Sequence, residues 1–329
     1  MPDIRNISKQ IFRISTPVEF NALALKIFHY QYAENPVYHQ FVDFQTKNPE
    51  DIQTIQEIPF LPIGFFKSHK IISGAKEERQ TFSSSGTSGM ERSKHYIVDP
   101  KLYEDSFRQG FEYFYGHPKG FRIFALLPSY LERDGSSLIY MVKKLMDQSG
   151  DEQNDFFLDN YGELANRLKI KSDKKTLLIG VSFALLEFAD KYSFPFHGET
   201  ILMETGGMKG RRKEMIREEL HEILCRQFHL ENIHSEYGMT ELLSQAYSNG
   251  NGIFKSPPWM EILIRDMNDP KSLLKNGKTG GINIIDLANI HSCSFIATMD
   301  LGRKLSGEGF EILGRFDNSD IRGCNLMVV

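Results

Sequence analysis

The sequence predicts an α/β fold with at least one largely parallel sheet. Two observations predict it. Apolar runs of strand length recur at 122–127, 176–181, 200–204, 282–286 and 295–299. Amphipathic stretches of helical length lie among them, at 101–115, 136–147, 182–191 and 212–228. Strand and helix in alternation is the pattern of βα units packed in layers. With 329 residues, the chain is long enough for about two domains, or one large α/β domain with an appendage. No repeat of 20–50 residues and no low-complexity tract interrupts the pattern.

The first helix is expected after Thr16. Thr16 caps, Pro17 suits the first helical position, and Glu19 completes a capping box. Phe20, Leu23, Ile27 and Tyr30 then share one face at helical spacing. The stretch 55–70, IQEIPFLPIGFFKSHK, carries two prolines among apolar residues and reads as an extended segment packed on a domain surface. Residues 1–75 form a helical and Pro-rich lead-in to a domain reaching residue 314. The last boundary falls near Gly314-Arg315, leaving 315–329 as a short terminal segment.

Composition narrows the function. Hydrophobic residues make up 40% and charged residues 25%, ordinary for a soluble globular chain. Lys+Arg 39 against Asp+Glu 43 leaves −4, which argues against nucleic acid and against a polybasic membrane anchor. No apolar run is long enough to span a bilayer, and the charged start has no signal-peptide h-region. Three cysteines, Cys225, Cys293 and Cys324, do not make a disulfide scaffold. The expectation is a reduced, cytoplasmic protein.

The most informative string is Ser83-Ser84-Ser85-Gly86-Thr87-Ser88-Gly89. Small residues and glycines let backbone N–H groups and hydroxyls wrap phosphate oxygens. It is not a Walker A loop, since G-x-x-x-x-G-K-[ST] is absent. Lys94, five residues past Gly89, supplies a positive charge. The competing reading is a solvated Ser/Gly loop. A second string, His234-Ser235-Glu236-Tyr237-Gly238-Met239-Thr240-Glu241, offers an aromatic face, a hydroxyl and a hard oxygen ligand of the kind Mg²⁺ prefers. By itself it also reads as a strand end with a helix start capped by Thr240. Thr205-Gly206-Gly207 follows an apolar run, where α/β sheets place ligands. Asp300-Leu301-Gly302 follows another, and Gly314-Arg315-Phe316-Asp317 and Ile321-Arg322-Gly323 come last.

These pieces, in this order, resemble the adenylate-forming superfamily of acyl-CoA synthetases, luciferase-like enzymes and peptide-synthetase adenylation domains. The resemblance spans roughly residues 80–323. Ile58-Pro59-Phe60-Leu61-Pro62, Phe66-Lys67, Ser84–Gly89, Pro257-Pro258-Trp259 and the late Gly323-Cys324 are similar, more narrowly, to the acyl-protein synthetase (LuxE-type) family of the bacterial bioluminescence fatty-acid reductase. Tyr237–Glu241 is closer to the general adenylate-former pattern. Only 12 residues follow Asp317, none a lysine, so the rotating C-terminal lid with its catalytic lysine does not carry over in its usual form.

The resemblance implies an α/β large domain of layered sheets and helices with a truncated C-terminal subdomain. It implies ATP and Mg²⁺ as cofactors and a carboxylic acid, of the fatty-acid class, as substrate. Ser84, Ser85, Gly86, Thr87, Ser88 and Gly89 would hold the β- and γ-phosphates, with Lys94 a further phosphate contact. Thr240 would touch the α-phosphate and Glu241 would hold Mg²⁺. Tyr237 and Gly238 would border the adenine or acyl pocket, and Gly206 and Gly207 would run along the adenine. Asp300 would take the ribose hydroxyls and Arg315 ribose or phosphate. Cys324 would accept the acyl group, its thiol activated by Arg322, and an acyl-accepting or reductase protein would be the partner. Coenzyme A or a carrier protein is the alternative acceptor, and a non-catalytic scaffold that kept the fold is the third reading.

Two further patterns read as packing. His221, Cys225 and His229 fall at i, i+4 and i+8 on one expected helix without an evident fourth metal ligand. His291 and Cys293 are expected on one strand face, packed in the core. Phe156, Phe157, Phe183 and Phe188 are read as core rather than as an acyl tunnel.

Overall fold

The computed structural model describes residues 4–46, 48–84, 91–128, 135–206, 215–307 and 309–316. In chain order the helices are α1 (Ile4–Ile11), α2 (Pro17–Glu34), α3 (Pro36–Gln45), α4 (Phe65–Ser68), α5 (Pro100–Tyr115), α6 (Ser137–Ser149), α7 (Tyr161–Leu168), α8 (Ser182–Lys191) and α9 (Arg217–Phe228). The strands are β1 (Leu61–Pro62), β2 (Gln80–Ser83), β3 (Lys94–Ile97), β4 (Phe121–Leu126), β5 (Asp155–Phe157), β6 (Lys175–Val181), β7 (Thr200–Thr205), β8 (His234–Tyr237), β9 (Ala246–Ser248), β10 (Ile253–Lys255), β11 (Met260–Arg265), β12 (Thr279–Asp286), β13 (Phe295–Lys304) and β14 (Phe310–Arg315). They fall into two compact units: Glu78–Pro257 is one, and the chain up to Glu77 together with the chain from Pro258 is the other.

The Glu78–Pro257 unit holds a sheet of order β10-β9-β8-β7-β6-β4-β5. From β5 to β8 the pairings are parallel, and β9 and β10 join antiparallel. Numbered from β4, the parallel part runs 2-1-3-4-5, a doubly wound order whose ligands bind outside the carboxyl ends of the strands. The strands are buried on both faces, as parallel strands between helix layers must be. Every residue of β4 is buried, and so are six of the seven in β6. Phe111 of α5 and Val142 and Leu145 of α6 meet Ile123, Leu177 and Tyr247 of the sheet. The hairpin β2–β3 stands apart as a two-stranded sheet.

In the other unit, β11-β12-β13-β14 form an antiparallel sheet, and β1 pairs parallel to β13 through Leu61↔Ile296 and Pro62↔Ala297. The N-terminal helices belong here because α2 carries polar anchors for the turn before β13. Gln31 is fully buried, donates to the carbonyls of Asn289 and Ile290, and accepts from Ser294 N. Asn35 caps α3 and donates to the carbonyl of Ser292.

Most expected elements appear within a few residues of their expected bounds. The Thr16–Glu19 capping box forms with both hydrogen bonds, and Phe20, Leu23, Ile27 and Tyr30 are buried. Several expectations need correction. Helix α1 precedes the one expected first. The 55–70 stretch is mainly extended but contains the single helical turn α4. Helix α9 starts at Arg217, because Ile216 is extended. His229 is not on the face of that helix: it is the left-handed residue that ends it. No helix starts at Thr240, since a turn leads directly toward β9. His291 and Cys293 lie in the turn before β13, not on a strand. Cys293 is nonetheless core, its thiol pushed up to about 12 by burial. Phe157, Phe183 and Phe188 are core, as expected.

Candidate active site

The carboxyl ends of β6, β7 and β8 bring several expected residues to one side of the parallel sheet. The register pairs Val181 with Thr205, Thr205 with Glu236, and Glu236 with Tyr247. Gly206 follows β7 directly at φ +72, a left-handed conformation that favours glycine. Tyr237 ends β8, buried, with its ring edge-on to Phe254 at 6.0 Å. Gly238, Thr240 and Glu241 follow in the turn, and Glu241 is only 6% exposed.

The hairpin meets this turn through a residue the motif reading passed over. His95 on β3 is 1% exposed, and its Nδ1 lies 2.8 Å from the carbonyl of Thr240. A carbonyl only accepts, so Nδ1 carries the proton. Ser84 and Lys94 sit at the loop end of the same hairpin. The Ser84 hydroxyl oxygen accepts from Ser93 N at 3.0 Å, while Ser84 N donates to Ser93 O, so this serine closes the hairpin before any ligand arrives. Lys94 is exposed and paired in register with Ser83. Ser85, Gly86, Thr87, Ser88, Gly89 and Gly207 lie outside the described residues, as do Cys324 and Arg322.

Two buried carboxylates flank these turns on opposite faces of the sheet, since Glu204 pairs with Ser235 and Glu236 with Thr205. Glu204 is held by Arg217, whose Nε is 3.2 Å away, and by Ser182 at 3.0 Å, with His221 at 3.8 Å. The one Ser182 hydroxyl proton is shared between Glu204 and the Gly206 carbonyl, 2.8 Å away. Burial pushes the Glu204 carboxyl up, but His221, the Arg217 charge and Ser235 together hold it below the ordinary range. Glu236 goes the other way. Burial and the charge of Glu204 outweigh a hydrogen bond from Thr205 and push it up to about 7.

In the other unit, Asp300 lies inside β13 rather than after it, and pairs in register with Arg315 on β14. Arg315 Nε donates to Asp300 Oδ1 at 2.8 Å, and Asp300 N donates to Thr298 Oγ1 at 3.1 Å. Arg265 reaches across from β11. It donates to the carbonyls of Ile282 and Thr298 at 2.7 and 2.5 Å and to Asn283 Oδ1 at 2.8 Å, and it stacks on Phe316. Among the described residues no group of three His, Cys, Asp or Glu side chains could hold a metal ion, and no helix is long and apolar enough to cross a membrane.

Comparison with known proteins gives the following. No family model matches the sequence. The long-chain-fatty-acid–luciferin-component ligase of Vibrio harveyi is 25% identical over 91% of this chain and 84% of its own length. The protein of the same name from Aliivibrio fischeri is 24% identical over 92% and 86%. Among solved structures, an open conformation of 2-hydroxyisobutyryl-CoA ligase in complex with 2-HIB-AMP and CoA superposes with TM-score 0.63 at 9% identity, covering 93% of this chain and 72% of that one. ATP-bound MatB from Rhodopseudomonas palustris gives TM-score 0.55 at 13% identity over 71% of this chain. This chain spans about half the length of that MatB structure, 47% of it. The fold is that of the adenylate-forming enzymes, and the resemblance to the LuxE-type synthetases runs along nine tenths of the sequence.

Proposed function

We propose that this chain is an acyl-adenylate-forming ligase, which activates a fatty-acid-class carboxylate with ATP and passes the acyl group to a thiol. One observation carries the reading. The Tyr237–Glu241 turn sits at the carboxyl end of a doubly wound sheet and is tied through His95 to the hairpin that leads into the Ser/Thr/Gly string. That brings a hydroxyl, a hard carboxylate and a lysine-bearing hairpin into one unit, the set an ATP triphosphate calls for.

In the first step a carboxylate oxygen attacks the α-phosphorus and pyrophosphate leaves. In the second a thiolate attacks the acyl carbonyl and AMP leaves. The protein's work is to align two anions and to neutralise charge. Thr240 donates its hydroxyl to the α-phosphate, Lys94 and Ser84 face the outer phosphates, and Gly206 and Tyr237 border the base. Asp300 is assigned to the ribose hydroxyls, and Arg315 to the ribose or a phosphate. Glu241 is a buried oxygen donor suited to Mg²⁺, which would draw charge from the phosphates when bound.

Cys324 is the assigned acyl acceptor, and an acyl-accepting or reductase protein the assigned partner. Coenzyme A or a carrier protein is the rival acceptor. Acyl-thioester formation by Cys324→Ser at the parental rate would transfer the role to coenzyme A or a carrier. The function is tested by carboxylate-dependent ATP–pyrophosphate exchange with Mg²⁺ across short, aromatic and long-chain acids. Exchange is expected, strongest with long-chain acids. Its absence with every acid, in folded protein, would overturn the reading.

A further inference from the structure

Glu236 has no task among the assigned nucleotide contacts, yet it stands between two of them. Its backbone pairs in register with Thr205, the residue before Gly206. Thr205 Oγ1 donates to Glu236 Oε2. The other carboxyl oxygen lies under Gly238: a Cβ there would come within 2.4 Å of Glu236 Oε1. One carboxyl oxygen therefore holds the last residue of β7, and the other fills the space that any side chain would need at the first residue after β8. Thr205 and Glu236 are 3% and 7% exposed, so water does not compete for these contacts.

We propose that Glu236 is a positioning residue of the nucleotide site, a strut that fixes the spacing of the Gly206 and Gly238 turns. The proposal rests on the reading of those two glycines as nucleotide contacts. Its chemistry favours the neutral carboxyl. Tyr115 from α5 and Tyr247 from β9 neighbour Glu236, and the charge of Glu204, on the opposite face of the sheet, reaches it through the strand. His234, on its own strand, meets the Tyr115 hydroxyl at 3.2 Å. None brings a positive charge at neutral pH. Burial pushes both phenols up, and burial followed by the His221 charge pushes His234 down. The carboxyl accordingly titrates near 7, and its ionised form would draw water between the two turns.

The test uses Glu236→Gln, Glu236→Ala and Thr205→Val in the full chain, with two readouts. The first is the KM for ATP in pyrophosphate exchange from pH 6 to 8.5. The second is deuterium uptake in segments 200–206 and 234–241. Between pH 6 and 8.5 the parental KM should climb about 3- to 10-fold relative to that of Glu236→Gln, with kcat moving less. Thr205→Val, which removes only the hydroxyl, should raise KM about 3- to 10-fold already at pH 6, the size of one buried hydrogen bond. Thr205→Val and Glu236→Ala should speed deuterium uptake in both segments together, and Glu236→Gln should restore most of the protection. The strut is overturned if Glu236→Gln keeps the parental pH dependence, or if Thr205→Val moves uptake in neither segment. A parent without exchange activity sinks the functional reading instead, and the deuterium arm then decides the strut by itself.

Discussion

The Nδ1–H of His95 donates to the carbonyl of Thr240 at 2.8 Å, across 145 residues of sequence. Deleting the imidazole takes this partner from a part-buried carbonyl, which costs about 1 kcal/mol. The cost should appear as a loosened Thr240–Glu241 turn. His95→Ala is expected to lower kcat/KM for ATP in pyrophosphate exchange by about tenfold. His95→Asn, whose amide NH₂ sits near the lost Nδ1, should recover part of it. Equal loss in both variants would show that ring packing, not the hydrogen bond, matters.

The raised Glu236 carboxyl makes a stability prediction that needs no substrate. Below about pH 4.5 the group is protonated in both folded and unfolded chains. From 4.5 to about 7 the unfolded chain releases the proton while the folded one keeps it, so stability falls as pH rises. Above 7 the penalty is complete, about 3 kcal/mol for a rise from 4.5 to about 7. Urea unfolding of Glu236→Gln should therefore match the parent near pH 4.5 and gain on it by about 1–3 kcal/mol at pH 8. Parallel curves for the two proteins would contradict the raised titration.

The roles of Glu236 and His95 are invisible in the sequence, for one physical reason. Glu236 reads as one more polar residue before Tyr237, and becomes a strut only when β7 and β8 pair so that Thr205 faces it. His95 likewise acquires its role from the fold. What depends on neighbours in the chain was legible: the Thr16–Glu19 box, the βα alternation, the glycine after β7. The apolar run stops near 299 and so puts Asp300 after a strand, although β13 continues through charged residues to Lys304. The pairing with β14 extends that strand, and no local pattern announces it.

Gly281 predicts a sharp steric effect. A Cβ there would lie 2.5 Å from Arg265 Cζ, in the space the guanidinium fills beside the β12 irregularity. Gly281→Ala must displace a side chain that holds Ile282, Asn283 and Thr298 together. A loss of about 2–4 kcal/mol is expected in urea unfolding. Gly64→Ala, where nothing lies within 4 Å of the added carbon, is the control and should change stability little. Similar effects at both sites would mean the Arg265 clamp carries no stability.

Glu204 behaves oppositely to Glu236. Its carboxyl is held low in the folded state, so its contribution is present above the ordinary 4.5 and is lost as pH falls through the folded value. Arg217→Met removes the cation from a carboxylate that stays buried, which costs about 3 kcal/mol at pH 7. The gap between parent and variant should narrow on acidification. A gap that does not vary with pH would assign the loss to Arg217 packing on Phe254, 5.0 Å from its guanidinium.

Asp300 and Arg315 separate a fold role from a ligand role. The Arg315 side chain is 54% exposed, so Arg315→Ala should change stability by less than about 1 kcal/mol despite the 2.8 Å contact. Asp300 is 6% exposed and has one oxygen on Arg315. The assigned partner of its carboxylate is the ribose. Parent protein should therefore discriminate ATP from 2′,3′-dideoxy-ATP in pyrophosphate exchange by about tenfold, the size of a charged hydrogen bond. Asp300→Asn should lose most of that discrimination, because the variant no longer has the charge that rewards the hydroxyls. If Asp300→Asn weakens ATP and dideoxy-ATP equally, the carboxylate holds β13 to β14 and does not touch the sugar.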